Sequence, residues 1–304
     1  MRSFAVIGHP LGHTLSPTFH NYLFDRLVLD ARYNALNISP HELPVVTQQL
    51  RQGHLDGINI TLPYKTAFLA HLDEVAPDAA PVGAVNCVTA VQGRLTGHNT
   101  DVAGIHFTLQ EGGFDAKGTS VLIMGAGGAA RAAMAALTQL GTGHICVAAR
   151  RKGAVESFLN DFRTAIGNTT LDGRLMDPEL NTTPYQLLIN ATPVGMWPKE
   201  ETSPLKANQL HQGQTVFDLV YHPEETLLIR QATSRGCHVI TGLQIFIRQG
   251  LASLEHWFPG VIYNDIGTLN PRIEVSTLRA VLLDAIKKRA TDPDTAVQAG
   301  ESAQ

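Results

Sequence analysis

Apolar positions along this chain fall into two alternating rhythms. Short continuous runs such as Phe4–Ile7, Gly57–Ile60, Val121–Met124, Ile145–Ala149 and Leu187–Asn190 are separated by longer stretches in which apolar residues recur at helical spacing. Short apolar runs bounded by turn residues read as strands buried on both faces, and the helical stretches between them are the crossovers that parallel strands require. The pattern therefore predicts an α/β chain with largely parallel sheets.

In the first third the pattern predicts strands at Phe4–Ile7, Arg32–Ile38 and Asp56–Ile60. It predicts helices near Ser16–Leu27, His41–Arg51 and Pro63–Leu72, with Ser16 as an N-cap before a first-turn proline. Two alternating runs around Gln92-Gly93-Arg94 predict a hairpin, followed by a helix that ends at the Gly112-Gly113 pair. Further strands are expected at Ser120–Met124, His144–Ala149, Leu187–Asn190, Thr215–Val220 and His238–Ile240. The chain thus divides into a first domain over 1–101, a doubly wound domain over 102–242, and helices over 243–288 that pack back on the first. Residues 289–304 are small and polar, and read as a disordered tail.

A length of 304 residues, 44% of them hydrophobic, suffices for two buried cores. The formal charge of -4 argues against a nucleic-acid surface, which needs clustered Lys and Arg, so a small-molecule substrate is expected. Cys87, Cys146 and Cys237 are odd in number, far apart and without CxxC spacing. They suggest neither a disulfide framework nor a metal site, and fit a cytoplasmic protein. No signal sequence or membrane span is read, and a monomer or homodimer is expected.

The sharpest motif is Gly125-Ala126-Gly127-Gly128-Ala129-Ala130, a G-x-G-x-x-A pattern between a predicted strand and a predicted helix. In a Rossmann-type unit Gly125 permits the turn, Gly127 lets a pyrophosphate approach the backbone, and Ala130 lets the helix lie close to the strand. The second strand of such a unit ends on an acid when it reads a ribose hydroxyl, and near a base when it reads a ribose phosphate. Here Arg150-Arg151-Lys152 follow the strand and no acid does, so NADP is favoured. A bare turn and a solvated basic loop are the bland readings of the two features.

A dinucleotide domain implies hydride transfer but does not choose the substrate. The first domain supplies polar clusters at predicted strand ends and helix starts: Thr14 with Ser16, Asn59 with Thr61 and Lys65, Asn86, and Asn99-Thr100-Asp101. Hydroxyls, amides, one ammonium and one carboxylate suit a small polyol that carries a carboxylate.

With these residues in view, the chain resembles the shikimate dehydrogenase family, which includes quinate dehydrogenases. HPLGHTLSP, GINITLPYK, GAVNCV, GHNTDVAG, GAGGAARA, NATPVGM, FDLVYHPEETLL and GLQIFIRQG stand in the family's order across about residues 1–285. The resemblance implies that Lys65 transfers the proton and that Asp101 is its partner. A proton acceptor is required chemically, because oxidising a secondary alcohol releases a proton as hydride leaves. A nearby carboxylate favours the charged ammonium, so Asp101 is read as an orienting and hydrogen-bonding group.

The resemblance further implies that Thr14 and Ser16 hold the ring carboxylate, with Tyr221 available as a third hydroxyl. Asn59 or Thr61, Asn86, Asp101 and Gln249 would hold the ring hydroxyls. Asn190, Thr192, Val194, Met196, Leu219 and Gly242 would line the nicotinamide pocket, and the loop from Trp197 to Pro204 would close over the cofactor. Cap, turn and helix-surface roles are the ordinary alternatives for most of these residues.

Two departures from the family pattern bear on specificity. The first hydroxyl residue is Thr14 instead of serine, and the basic tip reads Ala149-Arg150-Arg151, with Ala154 where a later arginine is usual. NADP-dependent interconversion of 3-dehydroshikimate and shikimate is the leading expectation. A quinate or dual dehydrogenase that also accepts NAD is the alternative, and a non-catalytic dinucleotide sensor the remote one.

Overall fold

A computed structural model describes residues 1–11, 14–163, 167–264 and 266–290. The first half of the chain runs β1 (Arg2–Gly8), α1 (Ser16–Leu27), β2 (Ala31–Asn37), α2 (Leu43–Arg51), β3 (Gly57–Ile60), β4 (Glu74–Val75), β5 (Cys87–Val91), β6 (Arg94–His98) and α3 (Thr100–Glu111). Its sheet has the order β2-β1-β3-β5-β6-β4. Strands β2 and β3 pair parallel with β1, whereas β5 and β6 form the expected antiparallel hairpin around Gln92-Gly93.

Alternation along β1 gives this sheet two cores. Ala5 and Ile7 join Ile58, Ile60, Val88 and Leu95 against Leu43, Val46 and Leu50 of α2. On the other face Phe4 stacks on Trp257 at 4.6 Å between ring centroids and packs beside Phe24 and Phe258.

Three local expectations are corrected. Leu15, not Ser16, is the N-cap of α1; Ser16 is the first helical residue and no side chain caps the helix. The helix expected from His41 breaks in two, a 3-10 turn over Pro40–Glu42 and then α2 from Leu43, because Pro44 is tolerated only in a first turn. No α-helix forms over Pro63–Leu72, where a 3-10 turn covers only Ala67–His71. The buried Tyr64 and Phe68 imitate a helical face. One helical bond forms, Phe68 N to Tyr64 O, but the Lys65 carbonyl takes the N–H of Val85 and the turns that follow close over three residues, Leu69 N to Thr66 O and Leu72 N to Leu69 O. Strand β4 escaped the pattern because its two residues are exposed.

The second half runs β7 (Ser120–Met124), α4 (Gly128–Gln139), β8 (His144–Ala149), α5 (Lys152–Phe162), β9 (Thr170–Leu175), β10 (Leu187–Asn190), β11 (Thr215–Asp218), α6 (Leu227–Ser234), β12 (His238–Ile240), α7 (Gly242–Trp257) and α8 (Val275–Ala290). Its sheet order is β12-β11-β10-β7-β8-β9, parallel throughout. Read from β9 this is the 3-2-1-4-5-6 order of a doubly wound dinucleotide fold, with the reversal between β7 and β10. Strand β9 was not anticipated: TLDGRL is an edge strand, exposed at its last four positions, and lacks an apolar run. The expected strand over Thr215–Val220 ends at Asp218, whose own side chain takes the N–H of Val220 through Oδ1.

The chain clusters into two compact units, Met1–Thr100 with the chain from Gln249, and Asp101–Arg248. No helix among the described residues is long and apolar enough to cross a membrane. The tail expected over 289–304 starts too early, since α8 runs to Ala290; its remainder from 291, and Gly12-His13 of the first motif, lie outside the described residues.

Candidate active site

In the first unit the polar residues of the middle strands gather where β1 and β3 end, β5 begins and β6 ends. Thr14 and Ser16 stand together at the start of α1, their hydroxyl oxygens 3.1 Å apart, and Ser16 N donates to Thr14 Oγ1. Two adjacent, half-buried hydroxyls of this kind suit the two oxygens of one carboxylate.

Asn59 is differently placed. It is buried in β3, its Oδ1 accepts from Tyr33 Oη at 2.7 Å, and its Nδ2 donates to Asn86 O and to Ser253 Oγ. Every polar atom of Asn59 is therefore used inside the unit, whereas Thr61, two residues on, is half-buried at the strand's end.

Asn86 is also buried, and its amide group serves Thr100: Oδ1 accepts from Thr100 N at 2.7 Å, and Nδ2 donates to Thr100 Oγ1. Asn86 thereby takes the first N–H of α3, and Asp101, expected as an alternative N-cap, lies inside the helix. Ser253 Oγ closes the network, 3.1 Å from Thr100 Oγ1 and donating to Gln249 O.

Lys65 is half-buried in the segment after β3, which the bond from Val85 N to its carbonyl holds in place. Asp101 opens the second unit as the second residue of α3 and is 8% exposed. Gln249 is half-buried on α7, and the half-buried Tyr221 follows β11 with its ring 4.7 Å from that of Phe246.

The second unit builds a turn at the reversal of its sheet. Gly125 has φ +114°, and a Cβ there would lie 2.8 Å from Ala191 O, so only glycine lets the β7 and β10 loops approach this closely. Gly127 is the N-cap of α4 and is exposed, with nothing within 4 Å of where a Cβ would stand. Ala126, Gly128 and Ala129 are half-buried beside it and Ala130 is fully buried. The unsatisfied N–H groups of a helix start, open to an approaching anion, are the physical requirement for a pyrophosphate. These residues fit a dinucleotide.

Arg150, Arg151 and Lys152 stand exposed at the end of β8 and the start of α5. Lys152 pairs with Glu156 at 3.6 Å, while neither arginine's side chain makes a hydrogen bond or ion pair among the described residues. Arg131 of α4 does not belong to this group, because it pairs with Asp161 of α5.

Across the reversal Asn190 organises its loop. Its Oδ1 accepts from Thr192 N and Oγ1, and its Nδ2 donates to Val194 O and Asp218 Oδ1. Met196 is exposed, Leu219 is tied by its N–H to Asn190 O, and Gly242 packs so tightly that a Cβ would meet Val220 O at 2.3 Å. In the loop expected to close over the cofactor, Gly195 N donates to Thr202 Oγ1, Thr202 Oγ1 to Lys199 O, and Trp197 N to His222 O.

Behind these residues lie partners that the motifs did not disclose. Asp218 is fully buried, and burial raises its carboxyl to about 6 against hydrogen bonds from Thr226, Val220 and Asn190 that pull it down. An acid ending an apolar strand, as in TVFD, was the available signal. Ser253, Tyr33 and His20 left none, since each reads as an ordinary helix or strand residue.

The model of the shikimate dehydrogenase substrate binding domain matches residues 6–88. The NADP(+) shikimate dehydrogenase of Shouchella clausii is 38% identical over 259 residues, 84% of this chain and 92% of that protein. The structure of shikimate 5-dehydrogenase from Thermus thermophilus in complex with NADP(H) and shikimate is 35% identical and matches with a TM-score of 0.78, covering 94% of this chain and all of that one. Quinate dehydrogenase from Corynebacterium glutamicum in complex with NAD is 28% identical with a TM-score of 0.80, over 93% of this chain and 99% of that one. An identity of this size along nearly the whole of a relative, over both the hydroxyl-lined unit and the doubly wound one, means that the chain belongs to the shikimate dehydrogenase family.

Proposed function

We propose that the chain catalyses the reversible, NADP-dependent reduction of 3-dehydroshikimate to shikimate. One observation carries this reading: the relatives matched over more than four-fifths of the chain are NADP(+) shikimate dehydrogenases, so the match spans both units and all the polar clusters. The turn over Gly125–Ala130 and the two uncommitted arginines at the end of β8 are what a 2′-phosphorylated dinucleotide needs. Bound there, the dinucleotide supplies the hydride for the ring carbonyl carbon.

The chain's own residues do the rest. Thr14 and Ser16 bind the ring carboxylate through their paired hydroxyls, with Tyr221 as a further hydroxyl. Thr61, Asn86, Asp101 and Gln249 select the ring hydroxyls. Asn59 acts from inside, holding the backbone of Asn86 in place through its Nδ2. Lys65 gives its proton to the carbonyl oxygen during reduction and takes it back during oxidation, and Asp101 orients the reacting oxygen. Asn190, Thr192, Val194, Met196, Leu219 and Gly242 border the nicotinamide. The free cysteines accord with a cytoplasmic enzyme, acting as a monomer or homodimer.

Lys65→Met tests the assignment. Turnover is expected to fall by about 100-fold or more, the usual yield of a positioned acid–base group, while shikimate affinity measured by calorimetry stays within a few-fold. Turnover like that of the unaltered enzyme would sink the role of Lys65.

The likeness to a quinate dehydrogenase, together with the extra methyl of Thr14, supports a second reading in which quinate is also oxidised. kcat/KM for both acids with both cofactors separates the two, and a preference for quinate with NAD would replace the leading assignment.

A further inference from the structure

Asp78, His98 and His256 form a cluster in the first unit that the proposed reaction leaves unused. Three separate pieces of chain bring them together: the turn after β4, the last residue of β6 and the last turn of α7. His98 Nδ1 stands 3.7 Å from Asp78 Oδ1, and His256 Nε2 stands 3.8 Å from Asp78 Oδ2. Both separations are too long for hydrogen bonds. Asp78 Oδ1 is buried and has no hydrogen-bond partner, and one ligand atom from each residue lies within 4.8 Å of the other two. Zinc takes imidazole nitrogen and carboxylate oxygen at about 2.0–2.2 Å, which puts neighbouring ligand atoms of a tetrahedron about 3.4 Å apart. Small side-chain adjustments reach that spacing.

The surroundings prepare the ligands. Thr89 Oγ1 lies 3.4 Å from His98 Nε2, so a proton on Nε2 leaves the Nδ1 lone pair facing Asp78. Asn99 N donates to Asp78 Oδ2 and steadies the carboxylate. The two imidazoles stack at 3.8 Å between ring centroids, a contact that two cations would not tolerate. Neutral imidazole is the form that binds metal.

Glu255, the other acid beside His256, is committed to the backbone N–H groups of Gly260, Ile262 and Tyr263. Stacked rings do not aim their lone pairs at one point, so binding must tilt them apart. The 33% exposure of His256 and 37% exposure of Asp78 leave room for that and for an entering ion with its water.

We propose that Asp78, His98 and His256 bind one divalent transition-metal ion, best matched by zinc, with water completing the coordination. Two imidazoles and one carboxylate suit zinc and not magnesium or calcium, which require oxygen shells. The ion would fasten β6 to α7 and add stability by mass action.

Zinc titration of the metal-free full-length protein by calorimetry, with millimolar magnesium present throughout, is the test. One equivalent should bind and raise the melting temperature. Asp78→Asn, His98→Ala and His256→Ala should each weaken binding by at least about 10-fold, the least that loss of even an outer-shell partner costs. X-ray absorption on the zinc-loaded unaltered protein reads the ligands without relying on any variant, and should show two imidazoles and oxygen donors. Sulfur in that shell, absence of a bound equivalent, or affinity unchanged by both histidine replacements would overturn the proposal.

Discussion

Arg150 and Arg151 are the residues on which cofactor choice turns. Both guanidinium groups are exposed at the end of β8 and uncommitted, in contrast to Arg131, which is paired with Asp161. Charge-assisted bonds to a phosphate contribute about 1.5–3 kcal/mol each, reduced at an exposed site by screening. Replacing either arginine by Ala should therefore raise KM for NADP about 10-fold and leave KM for NAD nearly unchanged. An equal rise for both cofactors would mean that the arginines support the loop and do not read the phosphate. Residue identity at this tip was legible in the sequence because the doubly wound unit places its ribose contacts one strand after the glycine turn. The inward role of Asn59 was not legible, since an amide at a strand end looks the same whether it faces substrate or core.

Among the elements, α4 and α5 show what one polar residue does in an alanine-rich helix. Arg131 pairs with Asp161 and lies 5.7 Å and 5.6 Å from the rings of Phe158 and Phe162, tying α5 to α4. Arg131→Met should destabilise the protein by about 1 kcal/mol. Asp161→Asn should cost less, because the contact with the two rings survives. Denaturant titration reads both, and equal costs would show that the ion pair dominates. Elements with a continuous apolar run, β7, β8 and β10, were legible at their observed bounds, because burial on both faces of a parallel sheet writes itself as a run. Segments governed by distant bonds were not. The edge strand β9 has no run, and the apolar spacing of Tyr64 and Phe68 pointed to an α-helix that does not propagate, because the Lys65 carbonyl takes the N–H of the distant Val85.

At the scale of the molecule, His20 couples folding of the first unit to pH. Its ring is buried, stacked on Tyr33 at 4.2 Å, edge-on to Phe19 and 5.3 Å from Trp257. Burial drives it from 6.5 down to about 3, only partly opposed by the nearby Asn59 amide. The unfolded chain takes up this proton near 6.5 and the folded chain refuses it until about 3, so the unfolded state binds more protons throughout that window. Stability should therefore fall on acidification below 6.5, by about 1.4 kcal/mol per pH unit from this group alone. Comparing the unaltered protein with His20→Phe at pH 6 and pH 5 isolates the contribution. Fluorescence of Trp257 in a Trp197→Phe background confines the signal to the first unit. Parallel pH dependences in the two proteins would show that His20 already carries a proton when folded.

The sequence by itself determined the alternation of strands and helices, the glycine turn with its basic neighbour, and the order of polar motifs, because each is local: a burial period, a backbone conformation or a few adjacent side chains. Tertiary structure alone decided which polar groups face one another. Asn59 meets Ser253 across 194 positions, and Thr100 meets the same hydroxyl across 153. Asp78, His98 and His256 assemble from three elements. Such meetings follow from strand order and helix packing, and a buried polar group must find its partner wherever the fold brings one, at separations that no local pattern records.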